Sequence, residues 1–328
     1  MDKTKTNHKI CSDISIVLCT CEGSFFLPEQ LESLMEQRLL PGELVVCDDA
    51  STDGTVQLLE AFKEKAPFEV KLVQNETRLG AVQNFSQAME LCRGRYVALC
   101  DQDDTWLPGR LESSLQAMEE AEKKWGSKMP LLVHSDLKVV DAGGEVVNSS
   151  FMKMRKIRHI ERQPLSKLLA QNFVTGNTVL INRPLLEAAL PVAGDAIMHD
   201  WWLALVAAAL GKIVFIDEPT VLYRQHSQNV IGANDFFSPG NLKRAIFYKN
   251  MEEEIAAIIK QTEALQGHLV RFGELKHLSW LEEYLHSLTN GGLPAAIAAR
   301  RFGVLKQGAA RNVIYLLLLL KGGYTDLL

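Results

Sequence analysis

Apolar residues first form an unbroken run in DISIVLCT, residues 13–20, whose length and β-branched content fit a strand covered on both faces. FLPEQLESLMEQ (26–37) follows with apolar positions at helical spacing, and GELVVCDD (42–49) is a second run that stops at two aspartates. The alternation continues. STDGTVQLLEAFKEK (51–65) reads as a helix with Ser51, Thr52 or Asp53 as N-cap, FEVKLVQN (68–75) as a strand, AVQNFSQAMELC (81–92) as a helix and RYVALCDQDD (95–104) as a fourth strand. Such alternation with short connections predicts an α/β fold: a Rossmann-like, mostly parallel sheet flanked by helices. Ligands on these sheets bind at the carboxyl ends of the strands. The unusual polar residues fall at those ends: Thr20 and Glu22, Asp48 and Asp49, Asn75 to Gly80, and Asp101 to Asp104.

After residue 110 the rhythm loosens. LLVHSDLKVVD (131–141) and GEVV (144–147) read as a strand and hairpin arm, TGNTVLINRPLLEAA (175–189) as a strand entering a short helix, HDWWLALVAAALG (199–211) as a buried helix, and IVFIDEPTVLYR (213–224) as extended pieces. From about Asp235 the pattern is helical, over 240–266, 270–289, 294–303 and 306–321. The chain thus divides into a polar leader (1–12), an α/β domain (13–235) and a helical C-terminal region (236–328).

At 328 residues the chain has room for one large α/β domain with an appendage, and its net charge of -5 argues against nucleic acid as the main partner. Six cysteines lie between Cys11 and Cys100, mostly in apolar runs, which fits reduced thiols in a reducing compartment. The longest apolar run, VIYLLLLL (313–320), falls far short of the roughly 20 residues that span a bilayer, and the leader lacks a secretory pattern, so the expected location is cytoplasmic. Arg300, Arg301, Lys306 and Arg311 precede that run and Lys321 follows it. Such helices suit peripheral contact with the inner face of the cell membrane, packing against the α/β domain, or a second copy in a homodimer.

Three carboxylates in four residues, Asp101, Asp103 and Asp104, repel one another unless a cation or solvent screens them. Magnesium or manganese with phosphate oxygens would do so. The alternative is a solvated turn in which Asp104 caps a helix over 107–125. Asp48 or Asp49 would accept from a nucleobase N–H, or cap the helix after Gly54. Arg78 offers a phosphate contact, Gly80 a tight approach and the following amides an anion site, or the stretch is an ordinary turn.

With these residues assembled, the chain resembles the family 2 glycosyltransferases, inverting enzymes of GT-A fold. The resemblance runs from about Ile14 to Asn234, on SIVLCTCEG, ELVVCDDASTDGT, NETRLGAVQNF, ALCDQDDTWLPGRL, FVTGNTVLINR, HDWWLAL and LYRQHSQNV, in the family's order. DQDDTW, TGNTVLINR and HDWW look most like rhamnosyltransferase-type members. The resemblance implies that Thr20, Glu22, Asp48 and Asp49 form the base and ribose pocket. Arg78, Gly80 and Asn84 would close over the donor. Asp101 and Asp103 would hold Mg²⁺ or Mn²⁺ against the diphosphate, with Gln102 in the donor site. Arg224 and His226 would lie near the diphosphate, His226 as a further metal contact or a structural histidine. Asp200 matches the general base, preceded by His199 where many members carry an acid. A protonated His199 would lower the pKa of Asp200 and a neutral one would not. The alternative for Asp200 is a first-turn or N-cap acid of a helix over 201–211. Trp106 would stack on the sugar or anchor the turn. Trp201 is open between sugar platform and core, and Trp202 reads as core. Gly176 and Asn177 would shape the acceptor side, or make a tight turn.

The implied function is metal-dependent, inverting transfer of a sugar from a nucleotide-sugar donor to a glycan or lipid-linked glycan in bacterial surface polysaccharide synthesis. dTDP-L-rhamnose is the first donor and UDP-hexoses the next. A nucleotidyltransferase would carry a Gly-rich, basic loop after the first strand, but TCEGSFFLPEQ (20–30) has one glycine and no Lys or Arg. A non-catalytic sugar-nucleotide-binding module would not need Asp200. No G-x-G-x-x-G follows the first strand, which disfavours a dinucleotide oxidoreductase.

Overall fold

The computed structural model describes residues 9–225, 241–273 and 275–328. Its strands are β1 (Lys9–Thr20), β2 (Leu39–Asp48), β3 (Glu69–Gln74), β4 (Tyr96–Asp101), β5 (Thr105–Trp106), β6 (Leu131–Val140), β7 (Val146–Asn148), β8 (Leu180–Asn182) and β9 (Lys212–Arg224). They form one sheet in the order β3-β2-β1-β4-β8-β6-β9-β5, with β7 paired to β6. The helices are α1 (Leu27–Met35), α2 (Thr55–Lys63), α3 (Ala81–Glu90), α4 (Arg110–Trp125), α5 (Phe151–Arg155), α6 (Pro164–Leu168), α7 (Arg183–Ala189), α8 (His199–Leu210), α9 (Asn241–Val270), α10 (Leu275–Asn290), α11 (Gly292–Arg301) and α12 (Ala309–Lys321). The α/β class and the C-terminal helices are as the sequence predicts.

The unbroken apolar run of β1 has a simple cause. Side chains alternate across a strand, and each face of this one meets a separate core. Val17 and Cys19 join Val45, Cys47, Val97 and Leu99 beneath α3, α7 and α8. Ile14, Ile16 and Leu18 join Leu44, Val46, Ala98 and Cys100 beneath α1 and α4. Residues 9–12, read from sequence as leader, extend β1 and pair in part with Leu39, Leu40 and Pro41.

The parallel half of the sheet fixes the rim. Thr20 is in register with Asp48, Asp48 with Gln74, and Cys19 with Asp101, so the polar strand ends form one row. Beyond β4 the sheet is mixed. β8 runs antiparallel between β4 and β6. An antiparallel strand starts where its neighbour ends, so the 3₁₀ turn Gly176–Thr178 that feeds β8 arrives at the rim beside Asp101.

The C-terminal helices share the core of α8. Trp202 meets the His268 ring edge-on at 5.1 Å, and Gln261 Oε1 accepts the Ile197 N–H at 2.9 Å. Three of the basic residues that favour a membrane reading are paired: Arg301 with Glu283, Lys306 with Glu254 and Lys321 with Glu252. Leu293, Ile297, Val313, Leu317 and Leu320 remain exposed. Among the described residues no helix is long and apolar enough to cross a membrane. The boundary at 235/236 lies outside the described residues.

Candidate functional site

The ends of β1 and β2 form a closed hydrogen-bond network. Asp48 accepts from Thr20 Oγ1 (2.8 Å), the Ser51 N–H (2.9 Å) and Ser51 Oγ (2.6 Å). Asp49 accepts the Leu79 and Gly80 N–H groups at 2.7 and 2.9 Å and Asn75 Nδ2 at 3.1 Å. The amides predicted to attract an anion at the start of α3 therefore already bind this carboxylate. Gly80 sits at φ +80°, which a side chain would strain. Asn84 ties α3 to β2 through the Cys47 carbonyl (2.8 Å) and accepts from Asn75 (2.9 Å). Glu22 and Arg78 pair with each other at the mouth, partly exposed.

The acidic turn is built differently. Gln102 is committed to the backbone: its Oε1 accepts the Cys21 N–H (2.8 Å) and its Nε2 donates to the Cys21 carbonyl (3.0 Å), locking the turn to the loop after β1. Asp104 does not cap α4, whose N-cap is Gly109. Instead Asp104 is buried, accepting the Arg224 N–H (3.0 Å) and a hydrogen bond from Asn177 Nδ2. Arg224 wraps the turn from outside, donating to the carbonyls of Asp103 (3.2 Å) and Ala142 (3.0 Å) and pairing with Glu29.

Beneath the turn lies a residue the sequence reading missed, Arg110, which is 0% exposed. Its Nη2 donates to the carbonyls of Asn177 (2.8 Å), Leu99 (3.2 Å) and Val179 (3.2 Å), and its guanidinium lies 3.7 Å over the Trp106 ring. A cation in the first turn of a helix opposes the helix dipole, and that misfit was the signal available in sequence. Trp106, 2% exposed, anchors the turn from the core and has no face for a sugar. Trp201 is likewise core, its Nε1 donating to the Leu168 carbonyl (2.6 Å). Asn177 is buried behind the turn, not at the pocket surface.

The Gly176–Thr178 turn joins the acids to Asp200. Asp200, in the first turn of α8 and 9% exposed, accepts hydrogen bonds from the Trp201 N–H (2.6 Å), the Gly176 N–H and the Asn172 side chain. A Cβ on Gly176 would lie 3.2 Å from His199 Nε2 and 3.3 Å from Asp200 Cβ, so a side chain there would press both residues outward by a few tenths of an ångström. Burial raises the Asp200 pKa to about 6. Burial first, then the charges of Asp103 and Asp200, raise that of Asp101 to about 8. Asp101 and Asp200 are thus electrostatic neighbours although far apart in sequence. Burial lowers the His199 pKa to about 3, so the ring is neutral and does not depress that of Asp200. His199 stacks on Phe85 (3.7 Å, 12°), and neither of its buried ring nitrogens has a partner. Arg110 Nη1 and Asn177 Oδ1 are also buried without partners, and such atoms concentrate where ligands complete a site.

The repulsion raising the Asp101 pKa is what a divalent cation relieves, so the residues fit one. Among the described residues no three acidic, histidine or cysteine groups assemble as a metal site. Asp101 and Asp103 sharing the ion with phosphate oxygens is therefore the form that fits. His226 lies outside the described residues.

Residues 15–126 match the model of the family Glycosyl transferase family 2. The chain is 26% identical over 219 residues to an uncharacterized protein of Mycobacterium tuberculosis, covering 66% of this chain and only 60% of that protein. It is 26% identical over 234 residues to the dTDP-rhamnosyl transferase RfbG of Shigella flexneri, covering 67% of this chain and 75% of that protein. Its fold is similar to the mannosyltransferase of Pyrobaculum calidifontis in complex with GDP-Man and Mn²⁺, with TM-score 0.52, 16% identity, and coverage of 91% of this chain and 74% of that one. Residues 15–126, which carry the ends of β1, β2 and β4 and the acidic turn, are thus similar to the family 2 glycosyltransferases.

Proposed function

We propose that this protein is a family 2 glycosyltransferase that inverts the anomeric centre as it moves a sugar, L-rhamnose first, from a nucleoside diphosphate to a hydroxyl of a glycan or lipid-linked glycan, in bacterial polysaccharide synthesis. The observation that carries the reading is Asp200 set against the acidic turn across Gly176–Asn177. The RfbG likeness supports the choice of dTDP-rhamnose.

The donor occupies the rim of β1, β2 and β4. Glu22 and Arg78 exchange their mutual pair for ribose and phosphate contacts, while Thr20, Asp48, Asp49, Gly80, Asn84, Gln102 and Arg224 hold the walls. Mg²⁺ or Mn²⁺, held by Asp101 and Asp103, supplies neutralisation of the leaving diphosphate's charge when bound. Asp200 takes the proton of the acceptor hydroxyl as its oxygen bonds to C1 and the C1–O bond to the diphosphate breaks on the opposite face. A carboxyl with a pKa of about 6 is ionised at neutral pH yet basic enough to take that proton. His199 offers its two unpartnered nitrogens to the acceptor or sugar hydroxyls. The enzyme works in the cytoplasm, peripherally at the membrane.

The test is a panel of nucleotide sugars scored for binding and hydrolysis with Mg²⁺, Mn²⁺ or EDTA. The reading predicts dTDP-rhamnose binding and hydrolysis that EDTA abolishes. Failure of every nucleotide sugar to bind with either ion would reject it.

A further inference from the structure

A cleft of about 340 Å³ opens between the segment after α5 and the turn before α12. Its lining includes four cations, Lys156, Arg158, Lys167 and Lys306, and no acid. Arg311 stands beside it, donating to the carbonyls of Arg155 (2.6 Å) and Lys156 (3.4 Å). Of the ion pairs among the described residues, one reaches the lining: Lys306 with Glu254 at 2.7 Å. Lys167 spends its ammonium on the Gly303 carbonyl (2.8 Å). Burial lowers the pKa of Lys167, and burial followed by the charge of Arg155 lowers that of Arg311. Folding has thus gathered like charges at some electrostatic cost.

The walls are fixed. Gln307 accepts the Arg158 N–H (2.8 Å) and donates to the Arg158 carbonyl (2.9 Å), while its own N–H meets Gln171 Oε1 (2.7 Å). Next to Arg158, His159 stacks on Phe215 (5.3 Å, 11°) and lies 3.0 Å from His134. Gly308, on the lining, is the N-cap of α12, whose first turn carries no acid. The positive end of that helix adds to the field of the side chains.

The cleft and the base are tied by one short stretch of chain. Lys167 lines the cleft and Asn172 hydrogen-bonds Asp200, and the five residue steps from one to the other span at most about 18 Å. We propose that this cleft is an anion subsite for a diphosphate carried by the acceptor, held there while the acceptor hydroxyl meets Asp200. The proposal rests on the reading of Asp200 as the residue facing the acceptor. Val313, Leu317 and Leu320 form an exposed apolar stripe farther along α12, so a diphosphate bearing a hydrocarbon chain suits both surfaces.

The test titrates the full chain with inorganic pyrophosphate by calorimetry. EDTA is present to remove the divalent ion a diphosphate would need at Asp101. Wild type is expected to bind. Lys156→Glu with Arg158→Glu, both exposed, is expected to weaken binding at least about tenfold, and Asp101→Asn to leave it unchanged. Lys156→Ala with Arg158→Ala replaces the reversal if that variant melts early. No binding by wild type, equal binding by the charge variants, or binding only to anionic phospholipid vesicles would overturn the proposal. Pyrophosphate binding needs no turnover, so this outcome and the fate of Asp200→Asn are read separately.

Discussion

Two carboxylate clusters share one rim of the sheet and differ in what surrounds their acids. At the ends of β1 and β2, Asp48 and Asp49 each accept three donors from hydroxyls, amides and a side-chain amide. Around Gly176–Asn177, Asp104 and Asp200 are buried and Asp101 is half-buried, all three with raised pKa values, and the partners beside them keep unpaired atoms at Arg110 Nη1, Asn177 Oδ1 and His199. Both clusters carry conspicuous acids, but only the second is left electrostatically incomplete. A satisfied buried carboxylate holds a loop. One whose pKa is raised by burial and like charge, beside polar atoms left unpaired, marks a place where substrate or cation completes the structure.

The sharpest way to break this contrast is Asp200→Asn. Glycosyl transfer should fall by roughly 10²- to 10⁴-fold, while donor affinity stays within about twofold. Stability should move the other way. The folded state holds the Asp200 proton more tightly than an ordinary carboxyl, so its contribution to stability falls as pH rises from 3.8 through about 6. Above pH ~7 the variant should therefore melt no lower than wild type, and any advantage should vanish near pH ~4.

Next in size is Arg110→Met, which strands three carbonyls and removes the cation beneath Asp101. It should cost about 3–5 kcal/mol in denaturant unfolding. Arg110→Lys should recover only part, because an ammonium cannot fork across those carbonyls.

The smallest effect is expected at the satisfied cluster. Asp49→Asn keeps one of the two oxygens that accept the Leu79 and Gly80 amides, so its cost should stay below about 2 kcal/mol. Donor affinity should change by less than about threefold. A larger loss would mean that residues 79–80 release Asp49 to the nucleobase when donor binds.

The scaffold was legible because its signals are local. Continuous apolar runs mark strands buried on both faces, and the polar residues that end them, Thr20, Asp48 and Asp101, mark the rim. What escaped depends on partners distant in sequence. β8 is three residues long, and nothing in TGNTVLINR announces that it runs antiparallel and delivers Gly176 to Asp200. Trp106 and Trp201 looked equally suited to sugar or core, and burial alone places them in the core. Gln102 sits in the middle of the acidic motif, yet its amide is committed to the backbone of Cys21, a partner no motif spacing specifies. Arg110 lies in the same motif, but one basic residue at a helix start does not reveal that it is fully buried.

The central claim is that burial makes Asp200 the base. The pH dependence of nucleotide-sugar hydrolysis, with water as acceptor, tests it most directly. The rate in wild type should rise as pH climbs through about 6 and then level off, because only the ionised carboxyl can take a proton, and Asp200→Asn should lack that rise. A rate flat across this range, or a rise that persists in Asp200→Asn, would contradict the account.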